Sequence, residues 1–452
     1  MAQLSLQELV AQSLESQKTF RSRWEDFPTD FSLTIDGEKA ISILHRLEEK
    51  LTENYPFFNP RYAGQMLKPP HPIAIAAYLS AMQINPNNHA LDGGPATAKM
   101  EMEVVGKIAA MFGYTSHLGH LTSSGTIANL EALWIAKSIH PNKAIAFSGS
   151  AHYTHQRMCE VIGARYVVLD SFDNLEEQIK EHSIGTIVVT MGTTSIGAVE
   201  PLHTIIPIVK KLNVRIHADA AYGGFFTLLA RTQNPIIDAR PFLELKNADS
   251  IVVDPHKHGL QPYGCGCVLF KDSSVGKYYK HDSPYTYFTS KELHLGEISL
   301  ECSRAGASAA ALWATLEYLP LESENGLGAV LNKTRMAAQN FSTLLASSKF
   351  FCEYTKPELD IVTYFPRTKN FSSSSVSEIS ENIFTGLMNH PTHPLYLATL
   401  NVSSQSIKEK YPDFVSDSDT TKILRSVLMK PEHLDFVPTL FRELETFAQK
   451  IV

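Results

Sequence analysis

The sequence predicts an α/β fold, with a large, mostly parallel sheet carrying helices on both faces and a smaller C-terminal α+β domain. Three observations predict it. Five short β-branched runs, "KAIAFSG", "RYVVLD", "TIVVTMG", "VRIHADA" and "SIVVDP", alternate with helical stretches between about residues 70 and 320. Val- and Ile-rich strands interleaved with helices build sheets buried on both faces. The residues of unusual chemistry fall at the ends of these runs, where ligands of open α/β sheets sit. Past about residue 325 the rhythm changes: a long helix, "GLGAVLNKTRMAAQNFSTLLASS", leads into "LDIVTYFP" and mixed α and β to the end.

Taken in order, "MAQLSLQELVAQSLES" lacks a basic stretch followed by an apolar block, so it is expected as an amphipathic helix and not a signal peptide. Residues 1–65 are helical and extended, ending in the aromatic, proline-rich "NYPFFNPRYAG", a composition suited to wrapping a neighbour. Residues 66–325 form the large domain and residues 326–452 the small one. Within the large domain "MEMEVVGKIAAMFGY" has helical spacing, and "SGTIANLEALWIAKSIH" opens with turn residues and continues as a helix. The serine run in "NFSSSSVSE" is expected as a solvated loop.

Bulk composition narrows the function. With 44% hydrophobic and 19% charged residues, the 452-residue chain is an ordinary globular protein. Its 40 basic and 47 acidic residues give a net charge of -7 with no dense Lys/Arg run, which argues against a nucleic-acid partner. No run approaches the length of a membrane span. The five cysteines, Cys159, Cys265, Cys267, Cys302 and Cys352, form neither a CxxC pair nor a metal spacing. No metal is expected, and a sparse, odd set of thiols fits a reducing cytoplasm.

Five constellations carry chemistry. In "VRIHADAAYGGFF", Asp219 ends a buried strand and small residues follow, leaving room for a flat object. A structural salt bridge would explain Asp219 as well. In "DPHKHG", Lys257 lies one strand later. A desolvated lysine has a lowered pKa and forms Schiff bases with aldehydes, whereas an exposed loop lysine does neither. His256 beside it can donate to an anion. In "HLTSSGTIANLEAL", Ser123, Ser124, Gly125 and Thr126 precede a helix, whose free N–H groups bind phosphate, although serine caps helices in any case. In "SGSAHYTHQRM", His152 could stack on an aromatic ring; alone, a satisfied histidine is the plainer explanation. In "VTMGTTSIGAVEPL", Thr193 and Thr194 close a strand at a glycine turn. Together the five ask for a ligand with a phosphate, an aromatic ring, a ring nitrogen to face the Asp219 carboxylate and an aldehyde. Pyridoxal 5′-phosphate has all four features.

The chain resembles the group II pyridoxal-phosphate-dependent amino acid decarboxylases, of fold type I, the aspartate-aminotransferase-like superfamily. The resemblance rests on "GGPATAKMEMEV", "TSSGTIANL", "SAHYTHQR", "GTTSIGAVEPL", "HADAAYGGF", "DPHKHG", "SRAGASAAALW" and "ILRSVLMKPEH", in the family's order from about residue 57 to 433. It implies that Lys257 carries the cofactor and Asp219 holds the pyridinium proton. It further implies that His152 stacks on the ring, that Ser124, Gly125, Thr126 and His256 hold the phosphate, and that Thr194 and Ala221 line the cofactor. Arg425 would take the substrate's α-carboxylate. Tyr287, or else Tyr285, would protonate Cα, although a packed aromatic at a dimer seam explains Tyr287 equally well. A homodimer with shared active sites is implied as well.

Three features depart from the family or remain open. Ser124 stands where glycine is common, and His258 follows the lysine where other members vary. Substrate choice stays open: the aromatics of "NYPFFNPRY" suit a side chain such as tyrosine's, while Arg61 or Lys68 could pair with an acidic one. A carbon–carbon lyase of the sphingosine-phosphate-lyase type and an aminotransferase are the competing enzymes.

Overall fold

The computed structural model describes residues 4–280 and 298–451. Seven strands form the large sheet: β1 (Leu118–Thr122), β2 (Ala144–Ser148), β3 (Tyr166–Leu169), β4 (Ile184–Thr190), β5 (Arg215–Asp219), β6 (Ser250–Val253) and β7 (Gly266–Phe270). Their order is β1-β7-β6-β5-β4-β2-β3. Strands β3, β2, β4, β5 and β6 run parallel, and β7 is antiparallel to both β6 and β1. The five β-branched runs are therefore the parallel core, with an antiparallel pair added at one side.

The composition of β4 explains its place. All seven residues of "IGTIVVT" are buried, so both faces must be covered. The helix Leu202–Leu212 turns Leu202, Ile205, Ile206 and Val209 inward, at the spacing of one helical face. Burying each such side chain contributes roughly 1.5 to 3 kcal/mol. On the side of β6 and β7 the helix Gly125–Ile139 packs through Ala128, Ala132 and Ile135.

A second, antiparallel sheet is made of β8 (Phe351–Thr355), β9 (Ile361–Pro366), β10 (Ala398–Ser403) and β11 (Thr420–Val427), in the order β10-β11-β9-β8. The helices Leu327–Ser347, Ser373–Met388 and His433–Ala448 contribute Phe341, Ile383 and Leu440 to its core. The serine run differs from expectation. It starts a helix: the Ser372 side chain caps Ser373–Met388 by accepting from the Ser375 N–H, and Ser373 is buried. Serine favours N-caps for the same reason it favours loops, since its hydroxyl competes for backbone groups.

Two of the family-like motifs brace each other. The buried Arg304 of "SRAG" forms an ion pair with Glu101 of "GGPATAKMEMEV", and donates to the carbonyls of Leu121 and Asn88 at 2.9 Å each. This fixes the end of β1, from which the phosphate-binding candidates hang. Among the described residues no helix is long and apolar enough to cross a membrane.

Candidate active site

Consecutive parallel strands bring their carboxyl ends together, and the chain uses this to gather residues from distant segments. A cavity of about 180 Å³ is lined by Ser124, Gly125 and Thr126 after β1, by Asn129, and by His152 and Thr154 after β2. Thr190, Gly192 and Thr194 come from β4, Asp219, Ala221 and Tyr222 from β5, and Asp254, His256 and Lys257 from the turn after β6. Every cofactor-binding residue expected from the sequence lies in this one wall.

Asp219 is buried at the end of β5. Its Oδ2 is 2.8 Å from His155 Nε2, and its Oδ1 accepts the Ala221 N–H at 3.2 Å. Burial alone would raise its pKa, but the hydrogen bond and charge of His155, with His217 and Lys257 beyond, hold the carboxyl well below the usual range. Behind it, the buried His217 donates from Nε2 to Asn129 Oδ1 (2.7 Å), and Ser250 Oγ lies 2.9 Å from its Nδ1. Burial pushes His217 down to about 3, so it stays neutral. A permanent anion thus faces the cavity, oriented by an imidazole.

Lys257 Nζ lies 3.0 Å from Asp254 Oδ2. The sequence reading expected a lowered lysine pKa, and the structure shows the reverse. Burial does push Lys257 down, but the charge and hydrogen bond of Asp254, aided by Asp219, outweigh it and raise the ammonium's pKa. Before attacking an aldehyde the amine must lose a proton, and Asp254 opposes that loss. Asp254 Oδ1 is buried with no hydrogen-bond partner.

The helix Gly125–Ile139 points its N-terminus into the cavity. Ser124 Oγ caps it by accepting from the Ile127 N–H at 3.3 Å, while first-turn N–H groups have no intrahelical partner. A Cβ at Gly125 would stand 2.5 Å from Asp254 Oδ2, so only glycine lets the helix approach this closely. His256 spends Nδ1 on the Cys265 carbonyl (2.7 Å), packs at a tilt on Tyr263 with ring centroids 4.9 Å apart, and has Nε2 3.6 Å from Asp254 Oδ2 at the cavity wall. The His152 ring is fixed by Thr154, whose Oγ1 is 2.7 Å from its Nδ1. Burial lowers the pKa of both histidines.

Residues 28–365 match a family model described as "Pyridoxal-dependent decarboxylase conserved domain". The chain belongs to the pyridoxal-dependent decarboxylase family. It is 29% identical to a probable L-tyrosine/L-aspartate decarboxylase of Methanothermobacter thermautotrophicus, over 67% of this chain and 82% of that one. It is 26% identical to an L-tyrosine decarboxylase of Enterococcus faecium, with 79% of each covered. To an L-aspartate decarboxylase of Thermococcus kodakarensis the identity is 27%, covering 73% of this chain and 85% of that one. The fold is shared with mouse CSAD (TM-score 0.77, 20% identity, 98% of each chain). It is also shared with Oryza sativa TDC solved with PLP and tryptamine (TM-score 0.77, 15% identity, 100% and 99%). The protein is an amino acid carboxy-lyase of fold type I that uses pyridoxal phosphate.

The decarboxylase's cavity fits that cofactor. An amine, an open helix N-terminus and a permanently charged carboxylate surround one space. Other expected residues are placed differently. The Arg425 guanidinium donates to the carbonyls of Ser195 (2.8 Å), Thr194 (2.7 Å) and Gly64 (3.3 Å). It sits behind Thr194 instead of lining the wall, with two of its five N–H donors still free. Tyr285 and Tyr287 lie outside the described residues. Arg61 is paired with Glu443 at 2.5 Å, and Lys68 donates to the Met429 carbonyl at 3.2 Å, so neither stands in the cavity. The aromatics Tyr55, Phe57 and Tyr62 pack on one another and on Tyr396 as a seam.

Sequence reasoning missed His155, Asp254 and Tyr222. His155 stood three residues after His152 at a helix start, one turn away on the same face. Asp254 stood three before Lys257 in "DPHK". Neither pairing is readable without the fold.

Proposed function

We propose that this decarboxylase converts an L-amino acid with an uncharged aromatic side chain, such as tyrosine, to its amine and CO2. One observation carries the substrate class. Among the described residues of the wall, Lys257 is the only lysine or arginine, and Arg425 stands just behind it. An acidic substrate has two carboxylates to hold, and with Arg425 taking the first no cation remains for the second among the described residues of the wall. The relatives' names include both tyrosine and aspartate. The lyase and aminotransferase readings are not favoured.

When bound, the cofactor supplies a sink for the electron pair left by departing CO2. The chain's residues do the rest. Asp254 holds Lys257 Nζ in place as the ammonium, and the amine is presented once that proton is lost to solvent. Asp219 keeps a proton on the ring nitrogen, since an adjacent anion favours the cation. His152, Ala221 and Thr194 would hold the cofactor's ring, and Ser124, Gly125, Thr126 and His256 would hold its phosphate. The two free N–H groups of Arg425 would hold and orient the α-carboxylate, where a displacement of about 1 Å costs roughly 100-fold. Tyr287 is the candidate donor of the proton that Cα gains.

The working unit is a homodimer in which residues 1–65 pack on a second copy. Trp24, Phe27, Phe31 and Ile35 are 71 to 90% exposed, and the helix Gly37–Leu51 buries nothing while leaving Ile41, Leu44, Leu47 and Leu51 outward. So large an apolar face calls for a cover. The five cysteines are free thiols, in keeping with a cytoplasmic protein.

The test is CO2 release from the holoenzyme across a panel of L-amino acids, with Lys257→Ala as control. Release from tyrosine or another aromatic, lost in the variant, is expected. Release from aspartate or glutamate alone would overturn the substrate class, and release from none would overturn the site.

A further inference from the structure

Glu358, Leu359 and Asp360 precede β9 in the C-terminal domain and reach three loops of the large sheet. Glu358 accepts the Val199 N–H at 3.1 Å. Leu359 is fully buried, with Cδ1 2.9 Å from where a Cβ on Gly192 would stand and 3.1 Å from one on Gly223. Asp360 is also fully buried. Its Oδ1 accepts the Tyr222 hydroxyl at 2.6 Å, and its Oδ2 lies 3.3 Å from His258 Nε2. Its carbonyl accepts the N–H of Leu428, just past the strand that carries Arg425, at 2.8 Å.

Tyr222 lines the cavity, and His258 is bonded to Lys257 in the chain. The His258 ring is fully buried, with ring centroids 4.8 Å from Tyr222 and 5.0 Å from Phe226. Neither ring nitrogen of His258 makes a hydrogen bond, nor does Asp360 Oδ2, so the two meet in close contact without one. Burial holds His258 well below its ordinary pKa, so it meets Asp360 as a neutral ring. Burial also pushes the Asp360 carboxyl up, opposed by the Tyr222 hydroxyl and the charge of Lys68. Thr334 also lowers the carboxyl's pKa by a side-chain hydrogen bond; a carboxylate so deeply buried, with a neutral ring at Oδ2, is still a poor stabiliser, and an apolar side chain would serve packing better.

We infer that Asp360 is a positioning residue of the decarboxylase site, one that ties the cavity wall at Tyr222 and the Lys257–His258 turn to the domain bearing Arg425. This rests on the reading of Lys257 given above. Asp360 lines no part of the cavity and acts through Tyr222 and His258.

The experiment compares the holoenzymes of Asp360→Ala, Asp360→Asn, Tyr222→Phe and the Asp360→Ala/Tyr222→Phe pair. The readouts are pyridoxal phosphate affinity from its visible absorbance, kcat and KM separately, and the unfolding temperature of the cofactor-free protein. Asparagine keeps an acceptor for the Tyr222 hydroxyl and an amide to face His258. Asp360→Ala and Tyr222→Phe are each expected to weaken cofactor binding by about 10-fold or more, as loss of a hydrogen bond to a buried charged group does. Asp360→Asn should restore most of it, and the double variant should be no weaker than the worse single one. Unchanged affinity and kcat in Tyr222→Phe, losses that multiply in the double variant, or no recovery in Asp360→Asn would overturn the inference, even if Asp360→Ala fails to fold. Cofactor binding indifferent to Lys257→Ala would overturn the Lys257 reading along with it; binding that needs Lys257 but ignores Asp360 and Tyr222 would overturn the positioning role alone.

Discussion

Replacing Asp254 by asparagine should make Lys257 reactive at lower pH. The structure gives the size of the effect. Asp254 Oδ2 is 3.0 Å from Nζ, the carboxylate is buried, and the lysine side chain is 22% exposed. Two opposed influences act on the ammonium: burial lowers its pKa, and Asp254 raises it by more. Asparagine has nearly the same shape and no charge, so it removes the second and leaves the first. An opposite charge at this range moves a pKa by roughly 1 to 3 units, or about 1.4 to 4 kcal/mol. Only the neutral amine attacks an aldehyde, so the rate must rise as pH climbs through the amine's pKa. In the native chain that rise lies above an ordinary lysine's ~10.4. In Asp254→Asn it should come roughly 1 to 3 pH units earlier. The assay is the rate at which pyridoxal phosphate modifies Lys257 in cofactor-free protein, followed from pH 6 to 11 by peptide mapping. An unchanged or higher midpoint would refute the reasoning, because burial would then not be what Asp254 opposes.

Three further outcomes follow from the same geometry. Gly125→Ala should weaken cofactor binding by about 10-fold, measured by absorbance titration, because its methyl would displace the Asp254 carboxylate from the helix start. His155→Leu should leave Asp219 buried without its partner, costing roughly 3 to 5 kcal/mol in urea unfolding at pH 7. Native Asp219 has a depressed pKa, so its contribution is present above the ordinary carboxylate range and lost as pH falls through the folded value; the gap between the two proteins should therefore shrink on acidification. Lys430, buried on the Tyr62 carbonyl at 2.6 Å, is pushed down to about 7 by burial. Between pH 7 and 9 the unfolded chain binds a proton there that the folded one does not, so native stability relative to Lys430→Met should rise by roughly 2 to 3 kcal/mol.

The fold and the gathering of the candidate site residues round one cavity were legible because both are written locally. Each strand carries its own β-branched run, and Asp219, His152 and Lys257 sit immediately after theirs, so parallel pairing alone gathers them. What was not legible is non-local. The pairing of Asp219 with His155 depends on β2 and β5 lying on either side of β4, and the meeting of Asp360 with Tyr222 spans 138 residues. The sign of the Lys257 shift was misjudged for a related reason. "DPHKHG" displays the lysine and the buried strand before it, but only the turn geometry shows Asp254 folding back to within 3.0 Å. The serine run was misread because cap and loop draw on the same residue chemistry; the hydrophobic spacing of Val376, Ile379, Ile383 and Leu387 behind it was the signal for a helix. Arg61 and Lys68 were reasonable cations for an acidic substrate until their partners were seen.

The measurement that tests the central claim most directly is to reduce the holoenzyme with borohydride, which fixes the cofactor to whichever amine holds it, and to map the labelled peptide. The account expects the label on Lys257 alone, with none in Lys257→Ala. Label on Lys68, Lys430 or any other lysine in the native protein would contradict it.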